Sequence, residues 1–257
     1  MLAIDKDPDF ELVPLIIGCH LLQEGGLSHQ LVEADFPGAT KLWTVVSGNS
    51  FSVMADSVSL TLSKVAQFLS LREVDMVVVH GDRFYAYGAA PAAALMHIFT
   101  IHLEGGEISG TIDGTLRHAI TKLSHLHFTC TECARHRVIT MGKAAAQTYF
   151  CGCPSYDEHV RNLNFITDEQ AHEILASYQL KKQEFLLVMH HPNTSSPTQT
   201  LTEYDCILDA VEEVGMQCVL FYPNLDPGNK DMIKTLHSKQ KSSDIFKTRL
   251  MCRLTCL

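Results

Sequence analysis

No apolar run in this 257-residue chain is long enough to span a bilayer, and the opening residues, MLAIDKDPDFE, carry early acids in place of a secretory signal. Those absences predict a cytoplasmic protein without a membrane partner. Positive charge is also scarce: 20 Lys+Arg stand against 29 Asp+Glu, a formal net charge of −9, which excludes the electrostatic footprint of a nucleic-acid binder. No internal repeat or low-complexity tract is present, and there is neither a Walker A sequence nor a nucleophile elbow; in Gly106-Glu-Ile-Ser-Gly110 the serine falls one place late. Nine cysteines, an odd number in a chain too large for a disulfide scaffold, predict reduced intracellular thiols. Asn193-Thr-Ser195 spells a glycosylation sequon, which has little meaning without a signal peptide.

What is present is an alternation of short, nearly continuous apolar runs with amphipathic stretches. The runs Glu11 to Gly18, Val74 to Gly81, His97 to Gly106, Leu126 to Cys130, Gln147 to Gly152, Phe185 to His191 and Gln217 to Tyr222 read as strands covered by helices on both faces. Between them, Leu116, Ala119, Ile120 and Leu123 form one buried stripe of a helix over residues 115–127, and Thr167 to Gln170 spells a capping box. Interior Pro91, which costs a helix about 3 kcal/mol, predicts a kink after Arg83. The alternation argues an α/β fold with two Rossmann-type parallel sheets. We place the domains at 1–157 and 158–257, with an unpatterned tail from about residue 242. The first domain is entered partway, in DPDFELVPLIIG, and the second shows only two clear strands, so the chain reads as clipped at both ends.

Open α/β sheets bind ligands beyond the carboxyl ends of their strands. Three such ends here are polar: His80-Gly81-Asp82-Arg83, His102-Leu103-Glu104-Gly105-Gly106-Glu107 and His190-His191-Pro192. Taken singly, each cluster is readable as helix caps and surface histidines. Together on one rim they suit proton transfer beside an anionic leaving group, with carboxylates to move protons and Arg83 to pair with phosphate. On the 115–127 helix, His118, Lys122 and His125 share the polar face, as solvated groups or as support for the site. A rival pattern, His102-x-Glu104 with Cys130-x-x-Cys133, mimics a zinc deaminase, although Thr129 stands where that signature has proline and His102 ends a strand. Cys130 in an apolar strand reads as structural, and we assign no metal.

These clusters carry a resemblance. HGDRF (His80 to Phe84), HLEGGEISGTIDGTLRHAITKLSH (His102 to His125), GCPSYD (Gly152 to Asp157), HHP (His190 to Pro192) and FYPNLDPG (Phe221 to Gly228) resemble the hydrolysing UDP-N-acetylglucosamine 2-epimerases. The match is nearest the epimerase half of the bifunctional epimerase/N-acetylmannosamine kinases and runs from about Asp9 to about Lys241. The resemblance implies a glycosyltransferase-B-like fold of two domains with the nucleotide sugar between them. It implies elimination of UDP and addition of water to give N-acetylmannosamine for sialic acid synthesis, without metal or cofactor. It implies Asp82 and Glu104 as acid/base carboxylates, His191 facing the substrate, and Arg83 and Asn224 at the nucleotide, leaving open which carboxylate takes the C2 proton; the clusters themselves add Asp113 to the catalytic groups, His102 at the substrate, and His80, His118 and His125 in support. Lys230 matches an effector position for CMP-sialic acid, while family arginines are replaced by Lys234 and His237. The family's first strand and its later nucleotide-gripping loop are missing, and a family carboxylate is replaced by Gly114, with Asp113 left to compensate. Two expectations follow: a weak or inactive epimerase, acting as a homo-oligomer, or a non-catalytic form that associates with full-length subunits.

Overall fold

The structure is a computed structural model and describes residues 1–23, 26–48, 50–182 and 184–249. All seven anticipated strands form. The first is confined to β1 (Leu15–Ile16), which pairs with an unanticipated β2 (Thr40–Lys41). Strands β3 (Met76–His80), β4 (Phe99–Leu103), β5 (Leu126–Thr129) and β6 (Thr148–Phe150) make a four-stranded parallel sheet in chain order. Strands β7 (Phe185–Val188), β8 (Gln217–Phe221) and β9 (Phe246–Arg249) make a three-stranded parallel sheet. The fold is therefore α/β with parallel sheets, three among the described residues where two were expected.

β9 corrects the reading of the tail. Phe246 carries no visible period in the sequence, yet it is buried against Cys218, Leu220, Met232 and Leu236 and completes the second core. Residues 250–257 of that tail lie outside the described residues.

The helices do not cover both faces of the larger sheet. Val79, Ala86, Ala90 and Ile120 pack together as the Phe84–Leu95 and Ile112–Leu123 helices lie on one face, while Met76, Val78 and Phe99 on the other remain exposed. On β4 and β5 the covered face is polar, with Thr100, His102, His127 and Thr129 fully buried. The Phe84–Leu95 helix runs unbroken through Pro91. Gly88 on the same helix lets the Phe51–Ser70 helix come close: a Cβ there would lie 2.7 Å from the Thr61 Cβ. The capping box at Thr167 and Gln170 forms as read.

Candidate functional site

Parallel register builds the rim. His80 pairs with Leu103, and Leu103 with Phe128, so β3, β4 and β5 end side by side. The ladder continues one step further: Gly81 N–H donates to Leu103 O (3.2 Å), Glu104 N–H to Phe128 O (2.8 Å) and Cys151 N–H to Thr129 O (3.1 Å). These bonds carry Asp82, Glu104, Cys130 and Cys153 to one edge.

Glu104 turns the chain off β4 with φ +64°, a left-handed conformation that a side chain rarely adopts, and such strain clusters at functional sites. Its carboxylate meets His80 Nε2 at 3.2 Å on one oxygen, and Cys153 Sγ donates to the other at 3.4 Å. The His80 hydrogen bond draws the Glu104 pKa below the usual value, and the same bond raises that of His80 against the pull of burial. The bond thus favours the charged form of each partner.

The loop behind it is clamped. Arg117 donates to the Asp82 carboxylate and to Glu107 O (2.8 Å), Arg137 donates to Gly106 O, and Thr131 Oγ1 donates to Glu107 Oε1 (2.7 Å). Gly106 sits at φ +89° where a Cβ would be 2.5 Å from Ala134 O. We expect Gly106→Ala to lose about 2–4 kcal/mol from strain and overpacking together, measurable by denaturant unfolding.

His102 lies beneath the rim and is fully buried. Its Nε2 is 2.9 Å from Gly81 O and its Nδ1 is 3.0 Å from Thr121 Oγ1. A carbonyl can only accept, so Nε2–H donates to it and Nδ1 accepts from the hydroxyl, which is the neutral ring. Both nitrogens are spent on the scaffold, and the side chain positions the Gly81 turn. Burial pushes its pKa down to about 4, and burial does the same to His127, also to about 4. The unfolded chain binds these protons below about pH 6.5 and the folded chain does not, so stability should fall as pH drops from about 6.5 to about 4. Urea midpoints against pH test this; His127→Leu, which removes one buried titrating group, is expected to flatten the slope.

Arg83 joins the rim to the second sheet. Its Nη1 donates to Asp113 Oδ2 (3.1 Å) and Asp226 Oδ2 (3.1 Å), and its Nη2 to Asp226 Oδ1 (2.5 Å). Burial opposes the guanidinium charge, but the Asp226 hydrogen bonds and charge outweigh it and the Arg83 pKa rises. Asp113 is raised, by burial first, with the Arg83 charge opposing. Asn224 Nδ2 donates to Asp226 Oδ2 (2.8 Å), and the Asn224 N–H donates to His191 Nδ1 (3.2 Å), so His191 carries its own proton on Nε2 when neutral. Burial lowers the His191 pKa and favours that neutral form. The sequon residues also serve this junction: Ser195 Oγ donates to Gly110 O (2.8 Å) and Ile112 N–H to Thr194 Oγ1 (3.4 Å).

The structure thus gathers Asp82, Arg83, Glu104, Asp113, His80, His191 and Asn224 along one junction. Two of the expected support histidines, and the residue expected at an effector position, lie outside that set. The helix stops at Leu123, so His125 shares no face with His118; it accepts from Thr100 N–H (3.0 Å), toward the opposite end of β4, and stacks on Phe99. His118 stays on the helix with a buried Nδ1 that has no hydrogen-bond partner among the described residues. Lys230 lines a cleft with Val46, Phe84, Leu225 and Ile233, beside the Arg83–Asp226 bridge. The deaminase set does not assemble either, because His102 is turned into the scaffold and Cys133 is exposed. At Gly114, a Cβ would lie 2.9 Å from Ser109 O, so a carboxylate there requires the preceding turn to move.

The sequence profile of the UDP-N-acetylglucosamine 2-epimerases matches residues 2–254. The chain belongs to the UDP-N-acetylglucosamine 2-epimerase family. It is 29% identical over 245 residues to the UDP-N-acetylglucosamine 2-epimerase of Neisseria meningitidis serogroup B, covering 95% of this chain and 62% of that protein. It is 30% identical over 219 residues to the hydrolyzing GDP/UDP-N,N'-diacetylbacillosamine 2-epimerase of Campylobacter jejuni, covering 85% of this chain and 56% of that protein. The chain spans about three-fifths of the length of these curated relatives. Among solved structures, the Neisseria meningitidis UDP-GlcNAc 2-epimerase bound to UDP-GlcNAc superposes with a TM-score of 0.74 at 16% identity, over 97% of this chain and 66% of that one. The Rickettsia bellii UDP-N-acetylglucosamine 2-epimerase gives 0.62 at 19% identity, over 92% and 68%. The likeness is one of fold: the glycosyltransferase-B-like arrangement of these epimerases.

Within this chain, sequence reasoning missed Asp226, Arg137 and Cys153. Asp226 stood inside the FYPNLDPG motif and could have been singled out as the acid of that run. Arg137 and Cys153 carry no local signal, since their contacts to Gly106 O and Glu104 span 31 and 49 residues.

Proposed function

We propose that this epimerase-family chain is a hydrolysing UDP-N-acetylglucosamine 2-epimerase of sialic acid synthesis, working in the cytoplasm as an oligomer. In this reading residues 1–157 form one domain and 158–257 the other, with the nucleotide sugar between them. The C2 proton leaves to a carboxylate as the C1–O bond to UDP breaks, giving a 2-acetamidoglucal. Water then adds across the double bond and N-acetylmannosamine departs. Asp82 and Glu104 move protons from the first sheet's rim, Asp113 and His191 act from the junction, and Arg83 with Asn224 receive the nucleotide. Lys230 is assigned to the effector CMP-sialic acid.

The observation that carries this reading is the ionised Glu104 beside His80 on the same strand edge as Asp82, next to a guanidinium that reaches the second sheet. The guanidinium is engaged by Asp113 and Asp226, so a diphosphate has to displace carboxylates to gain it. That pairing favours a second reading, a non-catalytic subunit that associates with full-length epimerase chains. UDP release from UDP-N-acetylglucosamine by the purified, monodisperse chain separates the two. Release supports the enzyme; a folded chain that releases no UDP yet co-elutes with full-length subunits supports the second reading.

A further inference from the structure

We propose that Glu104, Cys130 and Cys153 form a binding site for a thiophilic divalent cation such as zinc. The carboxylate oxygen and the two sulfur atoms lie within 4.8 Å of one another, with Cys153 Sγ 3.4 Å from Glu104 Oε1. The three residues follow three adjacent parallel strands, and the hydrogen bonds from Glu104 N–H to Phe128 O and from Cys151 N–H to Thr129 O hold their backbones together. Zinc bound tetrahedrally, with sulfur at about 2.3 Å and oxygen at about 2.0–2.2 Å, asks for donor separations of roughly 3.5–3.8 Å. The donors therefore have to approach one another by at most about 1 Å.

All three residues are half-buried, which leaves a path from solvent. Two thiolates and a carboxylate supply the soft and anionic donors zinc prefers, and the fourth position falls to water. As each sulfur–metal bond forms, its thiol proton passes to solvent. His80, 3.2 Å from the other Glu104 oxygen, orients the carboxylate as an outer partner. This trio differs from the deaminase pattern of the sequence: Glu104 and Cys153 take the places of His102 and Cys133 beside Cys130, and Glu104 is a ligand where the deaminase glutamate is not. If Glu104 moves protons as proposed above, an occupied site withdraws it from the reaction and the cation inhibits; that consequence rests on the proposed function, whereas binding does not.

Cobalt titration of the reduced 257-residue chain tests the site by absorption. One equivalent is expected to produce a sulfur-to-cobalt charge-transfer band that zinc abolishes by displacement. Cys130→Ser and Cys153→Ser should each lose the band, while Cys133→Ser and Cys206→Ser keep it, with circular dichroism confirming that each variant is folded. A second measurement needs no variant: zinc should protect Cys130 and Cys153 of the wild-type chain from alkylation, mapped by mass spectrometry, and leave Cys133 reactive. No cobalt band, a band that survives both substitutions, or equal alkylation with and without zinc overturns the proposal. Because these readouts do not involve UDP, the cation site and the epimerase reading stand or fall separately.

Discussion

Arg83→Met is expected to destabilise the chain by about 3–5 kcal/mol, the cost of leaving a buried charge without its partner. Asp226 is 4% exposed at its side chain and receives both terminal nitrogens of Arg83. Methionine keeps much of the volume and removes the charge, so the carboxylate keeps the hydrogen bond from the Asn224 amide but loses its cation. Asp113, 20% exposed, loses the same cation but turns to water more readily. The double variant Arg83→Met/Asp226→Leu should recover most of the loss, because replacing both partners removes the desolvated charge along with the bond. Urea unfolding of the single and double variants measures this; a single variant within about 0.5 kcal/mol of wild type would mean that the bridge contributes nothing net.

Glu104→Gln should leave the fold in place and lower UDP release by roughly 10²–10⁴-fold, the span usual for a positioned acid or base. Glutamine preserves the shape of a side chain held at φ +64° and removes only its charge and basicity. His80→Gln is the finer probe. Its amide can still donate to the carboxylate, but it takes away the His80 charge that helps hold the Glu104 pKa below its usual value, so that pKa rises toward the ordinary carboxylate range. The acid limb of kcat/KM should therefore move to higher pH in His80→Gln, with activity near neutrality less affected. An unchanged acid limb, or a Glu104→Gln chain that turns over like wild type, would remove Glu104 from the proton-transfer role. Asp82→Asn distinguishes the two carboxylates: Asp82 is held by Arg117, and its loss should also loosen the Glu107 loop that the same guanidinium supports.

The strands were legible because a parallel strand covered by helices is a run of apolar residues between turns, a local pattern. All seven such runs became strands, and Thr167 with Gln170 capped its helix as spelled, because capping is settled within four residues. The failures have a common cause. β9 was invisible because Phe246 to Arg249 is a strand only by pairing with β8 and burying Phe246 in a core assembled from distant helices. His125 was misassigned to a helical face because the helix ends at Leu123, where the chain must turn back into β5. His102, expected at the substrate, is spent on Gly81 and Thr121, partners that sequence spacing does not reveal.

What the sequence by itself determined is the alternation of strands and helices, the carboxyl-end rim bearing His80, Asp82, Arg83 and Glu104, and, through its motifs, the epimerase family. These are local quantities: period, polarity and short spaced patterns. What only the tertiary structure decided is which charges meet. Arg83 closes on Asp226 across 143 residues, Arg117 on Asp82 across 35, and Cys153 on Glu104 across 49. Ion pairing and ligation depend on distances of a few ångströms, and those distances are fixed by parallel register and by the packing of one sheet's loops against the other's. Nothing in the order of residues along the chain encodes them until the strands have paired.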